Sequence, residues 1–93
     1  MIIDSHTHIL PPHIKTNLAV YLHKDLTLRT LFAHRRTPIA TAEQLVAAMD
    51  EAGVDASIAL GMGWTNMDVA REVNDYLLES AERFPRRIVP FCS

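Results

Sequence analysis

Residues 1–8 read Met1-Ile2-Ile3-Asp4-Ser5-His6-Thr7-His8, and their reading decides what the rest of the chain has to be. Ile2 and Ile3 are β-branched and nothing basic precedes them, so the segment is expected to form a short buried strand that opens the fold. Successive side chains of a strand face opposite ways, so His6 and His8 should share one side, with Asp4 on that side too. Neutral imidazole is the commonest protein ligand for zinc and similar divalent ions, which makes the pair half of a metal site. An isolated His-x-His more often marks surface or hydrogen-bonded histidines. Here the pair ends an apolar strand and Pro11-Pro12 stop the run, which puts the imidazoles at the carboxyl edge where α/β folds carry their sites.

Working outward, a long connection from Ile9 to Ala40 leaves the histidine end of the strand, and connections of this length tend to be functional. Pro12 suits the first turn of a short helix, with Ile14, Leu18, Tyr21 and Leu22 as its stripe. Asp25 to Phe32 alternates Leu26, Leu28 and Thr30 and reads as helix or strand equally well. His13, His23 and His34 stand at no ligand spacing and read as surface or hydrogen-bonding histidines. His34-Arg35-Arg36 is either a solvated basic loop or, through Arg35, a clamp for a substrate carboxylate, since guanidinium offers paired donors.

Thr41 and Gln44 predict a capping box, and Ala42, Leu45, Val46, Met49 and Ala52 fall on one helical face that ends at Gly53. Val54 to Leu60 is a mostly apolar second strand leading into Gly61-Met62-Gly63-Trp64, where Trp64 either walls a substrate pocket or covers the sheet edge. Thr65 or Asn66 caps the next helix, whose stripe is expected to be Met67, Ala70, Val73, Leu77, Ala81 and Phe84, with Asn74 a polar residue upon it. Pro85 stops that helix, and Ile88 to Cys92 is the third strand. The order strand, excursion, helix, strand, helix, strand predicts an α/β fold with three parallel strands.

The chain has 93 residues, with nine basic and eleven acidic side chains and a formal charge of −2. That balance gives no electrostatic reason to expect nucleic acid or an anionic membrane as partner. Cys92 alone cannot form an internal disulfide, and no basic leader or membrane-length apolar run is present, so a cytoplasmic protein is expected.

The stretches MIIDSHTHILPP, TAEQLVAAMDEAGVD, ALGMGW and NDYLLESAERFPRRIVPF together resemble the amidohydrolase superfamily, in its amidohydrolase-related branch of aminocarboxymuconate-semialdehyde-decarboxylase-like enzymes. The resemblance implies that residues 1–93 are a single partial domain, the N-terminal β-α-β-α-β portion of a distorted (β/α)8 TIM barrel, which typically takes about 250 residues. It implies His6 and His8 as ligands of a divalent metal, zinc foremost, with histidines of middle strands and an aspartate of the last strand completing the site. Asp4 would at most fix an imidazole tautomer. The implied chemistry is hydrolysis of an amide, lactone or similar carbonyl compound, or non-oxidative decarboxylation, on a small-molecule substrate lined by Trp64 and Arg35. Several aromatic-acid decarboxylases of the branch carry Glu-x-His where this chain has His6-x-His8, which tilts the reading away from them. The polymerase-and-histidinol-phosphatase phosphoesterases open similarly, but the residues after Pro11 carry no Asp-Asp-Gly. A non-catalytic metal-binding or assembly module is the third reading. Three strands cannot close a barrel, so missing strands or self-association are expected to cover them.

Overall fold

A computed structural model describes residues 1–34, 40–61 and 63–91, the side chains of residues 31–34 excepted. The elements are β1 (Ile3–Thr7), α1 (Pro12–Thr16), α2 (Leu18–Lys24), α3 (Leu26–His34), α4 (Ala42–Ala52), β2 (Ala56–Leu60), α5 (Met67–Arg83) and β3 (Ile88–Phe91). The three strands form one parallel sheet in the order β1-β2-β3, so the molecule is α/β. Among the described residues no helix is long and apolar enough to cross a membrane.

Between Pro12 and His34 the excursion after β1 is helical, and local side chains set its breaks. Thr16 Oγ1 donates to the Pro12 carbonyl and Asn17 Nδ2 to the His13 carbonyl, so the expected single helix divides at Asn17 into α1 and α2. Asp25 resolves the ambiguous stretch in favour of helix. Its carboxylate is fully buried, and Oδ1 accepts the Leu28 N–H in the manner of an N-cap. Oδ2 accepts the Asn66 N–H from the loop after β2, at 2.8 Å. Thr65 Oγ1 accepts the Leu26 N–H, and Thr27 Oγ1 donates to the Gly63 carbonyl. One buried carboxylate and two threonines thus bind the α2–α3 corner to the β2–α5 loop.

The capping box at Thr41 and Gln44 is present, and Gly53 ends α4 with φ 74°. A left-handed conformation there favours glycine, which has no Cβ to clash. Ala42 and Met49 are buried and Leu45 and Val46 half-buried as expected, whereas Ala52 is exposed. Asn66, not Thr65, caps α5, accepting the N–H groups of Asp68 and Val69. The buried face of α5 is Val69, Val73, Tyr76, Leu77 and Ser80, and Met67 is 74% exposed. This face is rotated from the expected stripe because the Tyr76 hydroxyl turns inward to accept the Ala42 N–H at 2.8 Å. Asn74 is half-buried.

Ser57, Ala59 and Ile88 are buried on one face of the sheet, and Ala59 and Ile88 share a core cluster with residues of all five helices. The opposite face of the sheet is uncovered: Ile3 is 54%, Val89 39% and Phe91 55% exposed, and Ile58 and Leu60 are half-buried beside them. The opening segment is therefore not the buried strand its composition suggests. It is an edge strand whose residues Ile3 to His6 are all exposed and whose Thr7 is half-buried, because the helices cover little of the sheet at that edge.

Two outcomes are expected from these contacts. Asp25→Ala strands two amides that had bonded a carboxylate, and should lower unfolding stability by about 2–4 kcal/mol, read from the urea midpoint. A loss under about 0.5 kcal/mol would mean that the corner is held by packing alone. Glu43 of α4 is held below the ordinary carboxylate range, first by its own backbone amide and then by Arg83 of α5. A depressed folded value means that its contribution is present at neutral pH and is lost as pH falls through that value. Both side chains are largely exposed, so Glu43→Gln should cost under about 1 kcal/mol at pH 7, and nothing once wild-type Glu43 is protonated.

Candidate metal centre

The register of β1 against β2 fixes where the two histidines point. Asp4 pairs with Ser57 and Thr7 with Ala59, so three residues of β1 are spanned by two of β2, an irregularity of one residue. Ser57 and Ala59 lie on the covered face, so Asp4 and Thr7 do too, and His6 and His8, flanking Thr7, face the open side. Asp4 does not share their face. Its Oδ1 instead accepts the backbone N–H of His6 at 3.1 Å, a bond within the bulge. The simple alternation expected over residues 4–8 fails at this extra residue, while the convergence of the two imidazoles holds.

The pair has a defined geometry. His8 Nε2 lies 3.1 Å from His6 Nε2, with ring centroids 4.8 Å apart and the rings nearly perpendicular. His8 Nδ1 lies 3.0 Å from the carbonyl oxygen of Leu60, the last residue of β2. A carbonyl only accepts, so the neutral His8 ring carries its proton on Nδ1 and turns the Nε2 lone pair toward His6. Without a metal, His6 Nε2–H can donate to that lone pair. Thr7, between them, sends its hydroxyl to the Ile58 carbonyl at 2.8 Å and pins the strand end from the other face. His6 is exposed and His8 half-buried, so the two nitrogens are reachable from solvent.

These donors suit a divalent ion. Both nitrogens lie on one open surface, and their separation is close to the edge of a tetrahedron with bonds of about 2.0–2.1 Å. The His8 ring has its second nitrogen bonded to a backbone carbonyl, the usual support of a ligating imidazole. Among the described residues no group of three or more His, Cys, Asp or Glu side chains gathers to hold a metal ion, and the two imidazoles stand as a pair.

Trp64 is half-buried against the core cluster beneath the helices, and no described hydrogen bond reaches its buried Nε1. Arg35, Arg36, Met62 and Cys92 lie outside the described residues. His13 is exposed, 3.8 Å from Glu72 in an open groove between α1 and α5 that Asp75, Tyr76 and Glu79 also line. The Tyr21 hydroxyl donates to Glu72, and burial followed by the Glu72 carboxylate pushes the phenol above its ordinary value. Sequence reasoning missed two participants. The Leu60 carbonyl is backbone and has no residue-type signal, whereas Asp25 before an apolar turn carries the N-cap pattern.

No protein-family model, curated protein or solved structure matches the chain.

Zinc binding by the 93-residue chain should fall on His6→Ala or His8→Ala by more than the about 10–100-fold that loss of an outer partner costs. Asp4→Asn should change it little, because that carboxylate serves the backbone. Competition against a chromophoric chelator reads both, and an Asp4 effect as large as that of His6 would contradict the assigned geometry.

Proposed function

We propose that the chain forms the first β-α-β-α-β portion of a (β/α)8 barrel in a metal-dependent enzyme of the amidohydrolase-related type. The observation that carries this reading is the convergence of His6 and His8 Nε2 on the open face of β1, at its carboxyl end. In a barrel the face turned away from the helices is the interior, and sites lie at the carboxyl ends of the strands. The parallel order β1-β2-β3 and the exposed Ile3, Val89 and Phe91 suit a sheet that continues around such an interior.

In this reading His6 and His8 hold the ion through Nε2, zinc being the metal best suited to paired imidazoles. The Leu60 carbonyl orients His8 and keeps its Nδ1 protonated. A divalent ion held there would lower the pKa of a water towards about 7 and polarise a carbonyl. The general acid or base and the remaining ligands come from strands beyond β3. The substrate is a small amide, lactone or similar carbonyl compound, and the same ligands also serve a non-oxidative decarboxylation.

In a complete barrel containing this segment, hydrolysis of amide or lactone substrates should require the metal. His6→Ala and His8→Ala should each lower kcat/KM by about 10³-fold, since the metal supplies several kcal/mol. Metal-independent turnover would overturn the reading. Phosphomonoester turnover lost on His6→Ala would assign the phosphoesterase chemistry instead.

A further inference from the structure

We propose that Phe91 selects the substrate of this site, a carbonyl compound whose reacting group stands at His6 and His8 and whose aryl substituent lies against the Phe91 ring. This rests on the reading of the two histidines as metal ligands in a barrel interior.

The register of the sheet carries the argument. Ile58 pairs with Val89 and Leu60 with Phe91, and all four alternate along their strands with the buried Ser57, Ala59 and Ile88 or with Pro90, so they stand on the face to which His6 and His8 turn. The Leu60 carbonyl accepts the Nδ1 proton of His8 at 3.0 Å. His8, Leu60 and Phe91 therefore form one row across the carboxyl end of the sheet, from β1 to β3. Ile58 and Val89 form the row beneath. Neighbouring strands lie about 4.8 Å apart, which puts Phe91 about 10 Å across the sheet from His8, a span that a small arylated carbonyl compound bridges.

Position and chemistry divide the two rows by role. Layers of side chains fill a barrel interior, whereas residues at the carboxyl ends of its strands line the site. Val89 and Ile58 belong to the filling, and Phe91, 55% exposed at the strand end, belongs to the site. A phenyl ring presented there is matched best by another flat apolar group, in offset or edge-on contact. Leu60 is half-buried between the imidazoles and that ring and continues the apolar floor. None of the four side chains carries charge, so the row suits an uncharged aryl group.

The test uses a complete barrel containing this segment, loaded with zinc and titrated by calorimetry with benzohydroxamate and with acetohydroxamate. The two probes share a metal-binding head and differ in phenyl against methyl. Benzohydroxamate should bind tighter by about tenfold, and its ring protons should show Overhauser contacts to the Phe91 ring. Phe91→Ala and Phe91→Leu should each remove the preference and leave the acetohydroxamate affinity unchanged, whereas Val89→Ala should lower thermal stability and keep the preference. Equal affinities in the wild type, or a preference that survives Phe91→Leu, would overturn the role of Phe91 and leave the paired ligands standing. Failure of both hydroxamates to bind would overturn the metal reading and the proposal with it. If Phe91→Ala does not fold, Phe91→Leu and the wild-type Overhauser contacts decide, and a bound phenyl group without contact to Phe91 overturns the proposal.

Discussion

The hydrogen bond from His8 Nδ1 to the Leu60 carbonyl joins the end of β1 to the end of β2, and the orientation of the imidazole pair depends on it. It settles three things at once. The ring cannot rotate away from the sheet without losing its partner, the proton sits on the nitrogen turned to Leu60, and the other nitrogen faces His6. A hydrogen bond of this kind contributes only about 1 kcal/mol to folding. Its larger consequence is orientation, because a free imidazole at a strand end would sample several rotamers and both tautomers.

That bond exists only because β1 and β2 are parallel neighbours in a register with one extra residue between Asp4 and Thr7. The bulge returns Thr7 to the covered face and leaves His6 and His8 together on the open one. Asp4 serves this irregularity by taking the His6 amide, a group that would otherwise lie unpaired at a sheet edge. Below the site, Arg87 binds the carbonyls of Val54 and Asp55 and the Asp50 carboxylate, fixing the start of β3 against β2 and α4. Above it, Asp25 fastens the loop that follows β2. The strand ends that carry the two histidines are thus held from both directions, while the surface they face stays open.

Much of this was legible in the sequence where a local rule governs the outcome. The capping box at Thr41 and Gln44 and the glycine at position 53 are decided within a few residues and stand where the sequence places them, and of the two caps it offers for α5, Thr65 and Asn66, the structure takes Asn66. Features decided by contacts distant in sequence were not legible. The buried face of α5 is set by Tyr76 reaching Ala42, 34 residues away, so counting apolar positions misjudged Met67. The helical state of α3 depends on Asp25, whose second oxygen is bonded 41 residues further on. The histidine spacing was legible, but the bulge that places Asp4 on the other face is a property of pairing with β2 and leaves no mark in β1 alone. Leu60 contributes a carbonyl that any residue would have supplied.

The most direct test of the account is a long-range proton–nitrogen spectrum of the histidine rings in the metal-free chain, recorded near pH 8 and again after zinc is added. The geometry predicts that His8 carries its proton on Nδ1 with an unprotonated Nε2, and that zinc shifts the Nε2 resonances of His8 and His6 together. A His8 ring protonated on Nε2 in the metal-free chain, or a pair of rings whose nitrogens ignore the metal, would contradict it.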